Sequence, residues 1–348
     1  MTTRLIFGIA VSLAFVGLAA CGSSSAVPFQ PPALPTKPVA AVTPSPPLGR
    51  MYVSDGANPG TIKAYAWPSL PLGNPLATLI GSNGPQGMAF DKAGDLFVAN
   101  SAGQAVQVFS QPITDGAKPR FTLKPFFLFC LGSCSNPLLP DVAVDSAGGL
   151  ALDEGGTLYY QHCIEVCFAT LTLKRSLYVY PAPVSASSPY HEISFSCQVH
   201  FKGYKRIGSN CPDSGFGFFA DIAFDRSGNL WAALSDGHLE EYASPATTSA
   251  PVLSVPISAS GIKFDTIGNL YVGTSNGVDV YRPPFSASMT KAFSINVAAP
   301  GYLAFDATGK LLVSSAGKNV LVFVPPFSST SVSVATLPLV ASGIAIGH

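Results

Sequence analysis

The sequence predicts an all-β fold: a six-bladed propeller of four-stranded antiparallel blades, closed by pairing of the N- and C-terminal segments. Three observations predict it. A glycine-punctuated strand–turn–strand motif recurs along the chain, an aromatic–proline signal occurs six times, and the two ends of the repeat region complement one another. Repetition at about forty residues is the length of one four-stranded blade.

Residues 1–20 come first and stand apart from the repeat. Arg4 precedes an apolar run, Leu5 to Ala20, that is too short and too rich in Gly and Ala to span a bilayer comfortably, which makes it a signal peptide. The run ends in Leu18-Ala19-Ala20-Cys21, which resembles the lipobox of bacterial lipoproteins. That resemblance implies export, cleavage before Cys21 and lipidation of its thiol, with two or more acyl chains giving a stable membrane anchor. Gly22, where an Asp would retain such a protein at the inner membrane, implies an outer-membrane address if the envelope is Gram-negative. An ordinary signal peptide with a chance cysteine is the alternative reading.

Residues 21–48 form a tether. Ser23-Ser24-Ser25 leads into prolines at 28, 31, 32, 35, 38, 44, 46 and 47, a composition that favours extended polyproline II and acts as a semi-rigid spacer.

The propeller occupies residues 49–348. Gly87-Met-Ala-Phe-Asp-Lys-Ala-Gly-Asp-Leu-Phe97 returns as Gly149–Tyr159, Asp221–Trp231, Gly261–Tyr271 and Tyr302–Leu312. In each copy a first strand runs to an Asp (91, 153, 225, 265 or 306), and a Gly follows three residues later. An Asp side chain accepting backbone N–H groups, with Gly supplying positive φ, makes a tight turn. A second strand follows, as in Leu96–Asn100, Leu230–Leu234 and Leu270–Thr274. The third strand ends in an aromatic with a proline three residues on: Tyr65/Pro68, Phe109/Pro112, Tyr180/Pro183, Tyr242/Pro245, Tyr281/Pro284 and Phe323/Pro326. Proline belongs just past a strand, where no ladder hydrogen bond is lost. A fourth strand (Arg120–Leu123, Thr290–Ile295, Val332–Leu337) closes the blade.

The ends supply the count. Met51-Tyr52-Val53-Ser54-Asp55 matches a second strand and lacks a first, whereas Gly343-Ile344-Ala345-Ile346-Gly347 matches a first strand and lacks the rest. Side by side they make one blade and leave no radial seam.

Composition narrows the function. Nineteen basic and nineteen acidic residues cancel, and only 11% of residues are charged, so there is no basic footprint for nucleic acid. A 47% hydrophobic content excludes wholesale disorder. No Ser-His-Asp spacing, phosphate loop or His-Glu-x-x-His motif is present.

The repeats resemble NHL-type units of six-bladed propellers and, more loosely, the gluconolactonase-like group. The resemblance covers residues 49–348 and implies the architecture. Under the gluconolactonase-like resemblance a calcium ion would need several hard oxygen ligands near the axis.

Beyond Cys21 there are six cysteines: Cys130, Cys134, Cys163, Cys167, Cys197 and Cys211. An even number in an exported protein reads as three disulfides. Sequential pairing (130–134, 163–167, 197–211) is preferred among the fifteen possible connectivities. The alternative is a metal held by His162, Cys163 and Cys167, although the spacing is not the usual zinc pattern. Insertions at about 125–148, 162–175 and 197–220 lie in connections that emerge on one propeller face. They carry Phe126, Phe127, Phe129, Tyr204, Phe216, Phe218 and Phe219, and a basic cluster of His200, Lys202, Lys205 and Arg206. Long loops on one face of a scaffold point to a binding surface, here for a protein, peptide or glycan partner of the cell envelope. Packing of the aromatics onto the propeller, with the cations in water, is the competing reading.

Candidate ligand-binding residues lie at that face. The second strands end at Asp55, Asn100, His162, Leu234, Thr274 and Ser315; the first strands begin next to Gln86, Gly148, Ala220, Ser260, Gly301 and Ser342. Asp55, Asn100, His162 and Asp221 are the polar set available to a ligand, or to a channel-mouth hydrolase or lactonase. Capping of neighbouring loops is the simpler role for them. Lys263 breaks a local rule, because the other repeats place Ala89, Ala151, Ala223, Ala304 and Ala345 there. These residues support a non-catalytic binding module that needs no cofactor, with calcium required only under the lactonase alternative.

Overall fold

The computed structural model describes residues 49–124, 149–166, 170–202, 205–209, 219–246 and 250–347. For 162–166, 170–174, 196–202 and 205–209 the backbone alone is described.

Strands β1 (Gly49–Ser54), β2 (Gly60–Trp67) and β3 (Ala77–Ser82) open the chain and belong to blade 1. Blade 2 is β4 (Pro85–Phe90), β5 (Leu96–Asn100), β6 (Ala105–Phe109) and β7 (Phe121–Leu123). Blade 3 comprises β8 (Leu150–Leu152), β9 (Leu158–Val166), β10 (Thr170–Tyr180), β11 (His191–Lys202) and β12 (Lys205–Ser209). Blade 4 is β13 (Phe219–Phe224), β14 (Leu230–Leu234), β15 (Leu239–Tyr242) and β16 (Leu253–Val255). Blade 5 is β17 (Gly261–Phe264), β18 (Leu270–Thr274), β19 (Gly277–Tyr281) and β20 (Lys291–Ile295). Blade 6 is β21 (Pro300–Phe305), β22 (Leu311–Ser315), β23 (Asn319–Phe323) and β24 (Ala335–Leu337). The last strand, β25 (Gly343–Gly347), pairs antiparallel with β1, Met51 opposite Ile346 and Val53 opposite Ile344. It supplies the first strand of blade 1.

The first strands lie innermost. β25, β4, β8, β13, β17 and β21 each touch the first strands of the two neighbouring blades, and the cycle returns to β25. The repeat's turn chemistry explains their uniform ends. Asp91 Oδ1 accepts the N–H groups of Ala93 and Asp95, Asp265 Oδ1 those of Ile267 and Asn269, and Asp306 Oδ1 those of Thr308 and Lys310. The glycine of each turn, such as Gly94 at φ 85° and Gly268 at φ 92°, has the left-handed backbone that a Cβ would strain. Five of the six first strands, all but β25, stop one residue before an Asp.

The core lies between blades. Six apolar clusters fill the six blade–blade interfaces. The aromatic that ends each third strand is buried in one of them, from Phe109 and Phe323 at 1% exposed to Tyr65 and Tyr281 at 6%. Each aromatic therefore works as a peg that joins its blade to the core.

Blade 3 departs from the four-stranded expectation. β11 folds back after Lys202, and β12 adds a fifth strand through pairs from Val199↔Ser209 to Lys202↔Lys205. The segments read as loops at 162–175 and within 197–220 continue the ladder instead: β9 pairs with β10 out to Val166↔Thr172, and β10 with β11 out to Thr170↔His200. Alternation of β-branched, polar Thr with apolar Leu in Thr170-Leu-Thr-Leu173 satisfies strand periodicity, so the hairpin extends rather than opening into a loop. With nine residues in β9 against five in β5, β14, β18 and β22, the hairpin rises about four residues, or about 13 Å, further along the loop face.

Candidate binding site on the propeller axis

Aligning the first strands by their repeat gives a ring at the motif's first position: Gly87, Gly149, Asp221, Gly261, Tyr302 and Gly343. Four blades place no side chain there. A Cβ on Gly343 would lie 1.9 Å from the Gln86 carbonyl oxygen, and one on Gly261 2.4 Å from that of Gly301. The backbones approach too closely for any other residue at those two positions. Asp221 and Tyr302 are thus the only side chains that this ring projects.

Both are used. Asp221 faces blade 5, its Oδ2 accepting the N–H of Ile262 at 2.9 Å and its Oδ1 that of Ile222. Enclosure by protein raises the Asp221 pKa, and the opposing pull of Lys263 and the two amides does not cancel this. Its side chain is half-buried. Tyr302 reaches past Gly343 to donate its hydroxyl to Gln86 Oε1 of blade 2, at 3.3 Å. Desolvation, then the nearby Asp221 charge, pushes that phenol far above its ordinary pKa. Sequence reasoning passed over Tyr302, although its place in a ring of glycines is a readable signal.

Two residues deeper, at the motif's third position, Lys263 stands in a ring otherwise made of Ala89, Ala151, Ala223, Ala304 and Ala345. This ring and the residues beside it line an open axial cavity of about 310 Å³, to which all six first strands contribute. Fourteen of its fifteen lining residues are apolar; Lys263 is the other. No protein group accepts a hydrogen bond from its ammonium among the described residues.

The remaining candidates are spent locally. Asp55 Oδ1 accepts the N–H groups of Ala57 and Thr61, and its Oδ2 takes the Thr61 hydroxyl. Burial alone would raise its pKa; those hydrogen bonds outweigh burial and hold it below the ordinary value. Asn100 is 2% exposed, accepting from Asn83 N and donating to the Val98 carbonyl. Both therefore cap their own loops. His162 lies on β9 with its backbone opposite Ser176, and its side chain is outside the described residues. Among the described residues no group of three His, Cys, Asp or Glu side chains is placed to hold a metal ion.

Cys163 and Cys197 fall on β9 and β11, the two strands that flank β10. The side chains of all six of these cysteines, Cys21, and loop aromatics 126, 127, 129, 204, 216 and 218 lie outside the described residues. So do the side chains of His200, Lys202, Lys205 and Arg206, whose backbones form the β11–β12 hairpin. Phe219 is described and is not a surface aromatic: at 2% exposed it packs edge-on to Phe195, 5.6 Å between centroids. The gap between blades 3 and 4 needs its bulk.

No family model matches the chain, and no curated protein does. Solved structures share the fold. A protein of unknown function from Bacteroides caccae has TM-score 0.53 and 13% identity, with 86% of this chain and 99% of that one covered. A candidate 6-phosphogluconolactonase from Bacteroides uniformis gives 0.53 and 13%, over 85% and 84%. The periplasmic gluconolactonase of Pseudomonas aeruginosa gives 0.51 and 17%, over 83% and 82%. At these identities the likeness is one of fold.

Proposed function

We propose that the protein is a non-catalytic binding module of the cell envelope, exported and lipid-anchored through Cys21, that engages a protein, peptide or glycan partner. The observation that carries this reading is the projection of blade 3. A five-stranded blade whose central hairpins rise above their neighbours offers a rigid, asymmetric surface on the loop face, where function concentrates in scaffolds of this kind. Three disulfides among the six propeller cysteines brace that surface in this reading.

The test trims the projection without breaking the blade. Replacing residues 164–174 by a two-residue Asn-Gly turn, together with Cys163→Ser because its preferred partner Cys167 is removed, joins position 163 to Arg175, which already face each other in the ladder. A partner captured by the parent and lost by the trimmed chain, with the melting transition retained, supports the reading. Capture unaffected by trimming overturns it.

A lactonase or related hydrolase at the channel mouth, aided by calcium, is the second reading, favoured by the fold shared with the Pseudomonas gluconolactonase. It is the weaker one. Asp55, Asn100 and Asp221 already spend their oxygens on backbone amides of their own or the next blade. Stoichiometric calcium in the purified protein would reverse the order of the two readings.

A further inference from the structure

Proteins scatter single apolar side chains over their surface, but a concentration of them on one side marks a contact. Nine large apolar side chains stand exposed among the described residues. Seven of them lie in connections of a single face, the one that carries the first-to-second and third-to-fourth strand turns, opposite the loop face. Val324, Val332 and Val334 fall between β23 and β24 of blade 6, and Leu70 and Leu76 between β2 and β3 of blade 1. Val252 of blade 4 and Ile267 of blade 5 complete the seven. Of the remaining pair, Ile80 lies within β3 and Val340 sits on the loop face.

The fold does not require them. Leu76, Val252 and Val334 occupy one repeat position, fixed by a backbone N–H that donates to a third-strand carbonyl, at Ala64, Glu241 and Val322 respectively. Blade 2 meets the same requirement with Arg120, whose N–H donates to the Val108 carbonyl. A charged residue therefore serves there, and all three aliphatic side chains are more than half exposed. Blades 6 and 1 are neighbours through a shared apolar cluster, so five of the seven gather on one side of the turn face. Residues 68–76 and 324–334, which carry those five, contain no charged residue.

The occupant follows from where the chain arrives. Gly49 lies opposite Trp67, the last residue of β2, so the segment that leads back to Cys21 reaches blade 1 on the turn face. The residues 22–48 that separate Cys21 from Gly49 span at most roughly 90–100 Å. An acylated Cys21 would hold this face within reach of a bilayer, at the high effective concentration that lets weak contacts form. Protein interfaces are anchored by Trp, Tyr and Arg, which these two connections lack. Uncharged stretches with aliphatic tips and hydroxyls suit a lipid surface instead. We propose that the turn face of blades 6 and 1 is a membrane-contact surface. Its valines and leucines dip into the headgroup boundary of the bilayer that holds Cys21, and the loop face with blade 3 is turned away from it. The choice of a bilayer rests on the lipid-anchored reading of Cys21, and the orientation goes beyond that reading.

The test supplies its own anchor, so it does not depend on acylation. A chain beginning at residue 22, with an N-terminal histidine tag, is held on vesicles of brominated-chain phosphatidylcholine doped with a nickel-chelating lipid. Tryptophan is introduced one site at a time as Val334→Trp, Leu76→Trp and, on the loop face, Val340→Trp. Native Trp67 and Trp231 are buried between blades and give a constant background. Val334→Trp and Leu76→Trp are expected to lose several-fold more of their added fluorescence to the brominated chains than Val340→Trp, at low and high salt alike. Adding Val332→Asp to Val334→Trp, or Leu70→Asp to Leu76→Trp, should remove most of that difference, with the melting temperature unchanged because the sites are exposed. Equal quenching at all three sites, none at any, or quenching that survives the Asp substitutions would overturn the proposal. So would a dimer in solution that Leu70→Asp/Val332→Asp dissolves, which would assign the patch to a second copy. The mass of the Cys21 segment in the exported chain tests the anchor separately: quenching without acylation would uphold the contact surface and overturn the lipid anchor alone.

Discussion

Arg175 of blade 3 donates from Nη2 to Glu240 Oε2 of blade 4 across 2.8 Å, and the Tyr242 hydroxyl donates to the same oxygen. The guanidinium stacks over Phe195 at 4.8 Å and Phe219 at 5.3 Å, so the ion pair sits inside an aromatic box between two blades. Desolvation first, then the Glu240 charge, pushes the Tyr242 phenol far above its ordinary pKa. Both charged side chains are largely buried, at 9% and 14% exposed.

Removing one partner strands the other. Arg175→Met is expected to cost about 3–5 kcal/mol, because Glu240 is left as an uncompensated buried charge. The double variant Arg175→Met/Glu240→Leu is expected to recover much of that loss. Urea denaturation of the two singles and the double checks it through a double-mutant cycle.

Trp67 Nε1 donates to Asp306 Oδ2 at 2.9 Å and joins blade 1 to blade 6. Burial works to raise the Asp306 pKa; hydrogen bonds from Thr308, Trp67 and Lys310 more than offset it and hold the carboxyl below its ordinary range. A depressed folded pKa means that the stabilisation is present above the ordinary carboxyl range and is lost as pH falls through the folded value. Trp67→Phe should therefore cost about 1.5–3 kcal/mol at neutral pH, beyond any packing loss. Its acid-unfolding midpoint should move to higher pH, read by tyrosine and residual tryptophan fluorescence.

Asp221 has the opposite sign. Its folded pKa is raised, so its contribution favours folding below the ordinary Asp range and is lost as pH climbs through the folded value. Asp221→Asn keeps an acceptor for the Ile262 amide and removes the charge. The variant is expected to equal or exceed the parent in stability at about pH 7 and to lose that advantage near about pH 3. Denaturation series across that range measure it, and a constant difference at every pH would refute the assignment.

Gly343→Ala should destabilise by about 1–3 kcal/mol, since the new methyl would press on the Gln86 carbonyl from 1.9 Å. Gly73→Ala is the control, because nothing stands within 4 Å of its Cβ position. Thermal melts of the two should separate clearly.

Deleting residues 339–348 removes β25. About five ladder hydrogen bonds at roughly 0.5–1.5 kcal/mol each are lost, together with buried Ile344. The expected outcome is a markedly lower melting temperature and self-association on size-exclusion chromatography, because β1 becomes a bare edge.

The blades were legible because their signals are local. An Asp three residues before a Gly makes its turn wherever it stands, and Tyr65 or Phe109 marks a strand end without reference to the rest of the chain. Blade 3 was harder, because the strand that pairs Lys202 with Lys205 lies where the repeat is interrupted. The blade-bridging pairs had no local mark at all: Tyr302 and Gln86 are 216 residues apart, and Arg175 and Glu240 are 65. Only the ring brings them together. Lys263 and Asp221 could be suspected from the sequence because a repeat makes an exception visible, but their chemistry depends on the enclosure.

The pairing of Met51 with Ile346 has a kinetic consequence. Contacts this remote in sequence form slowly, since the whole intervening chain must be ordered before its two ends meet. β1 is synthesised first and its inner partner last, so blades 2 to 6 can each zip up while blade 1 waits incomplete. The time needed for that final strand to dock therefore sets how long the newly made protein remains open to capture by other unfolded chains.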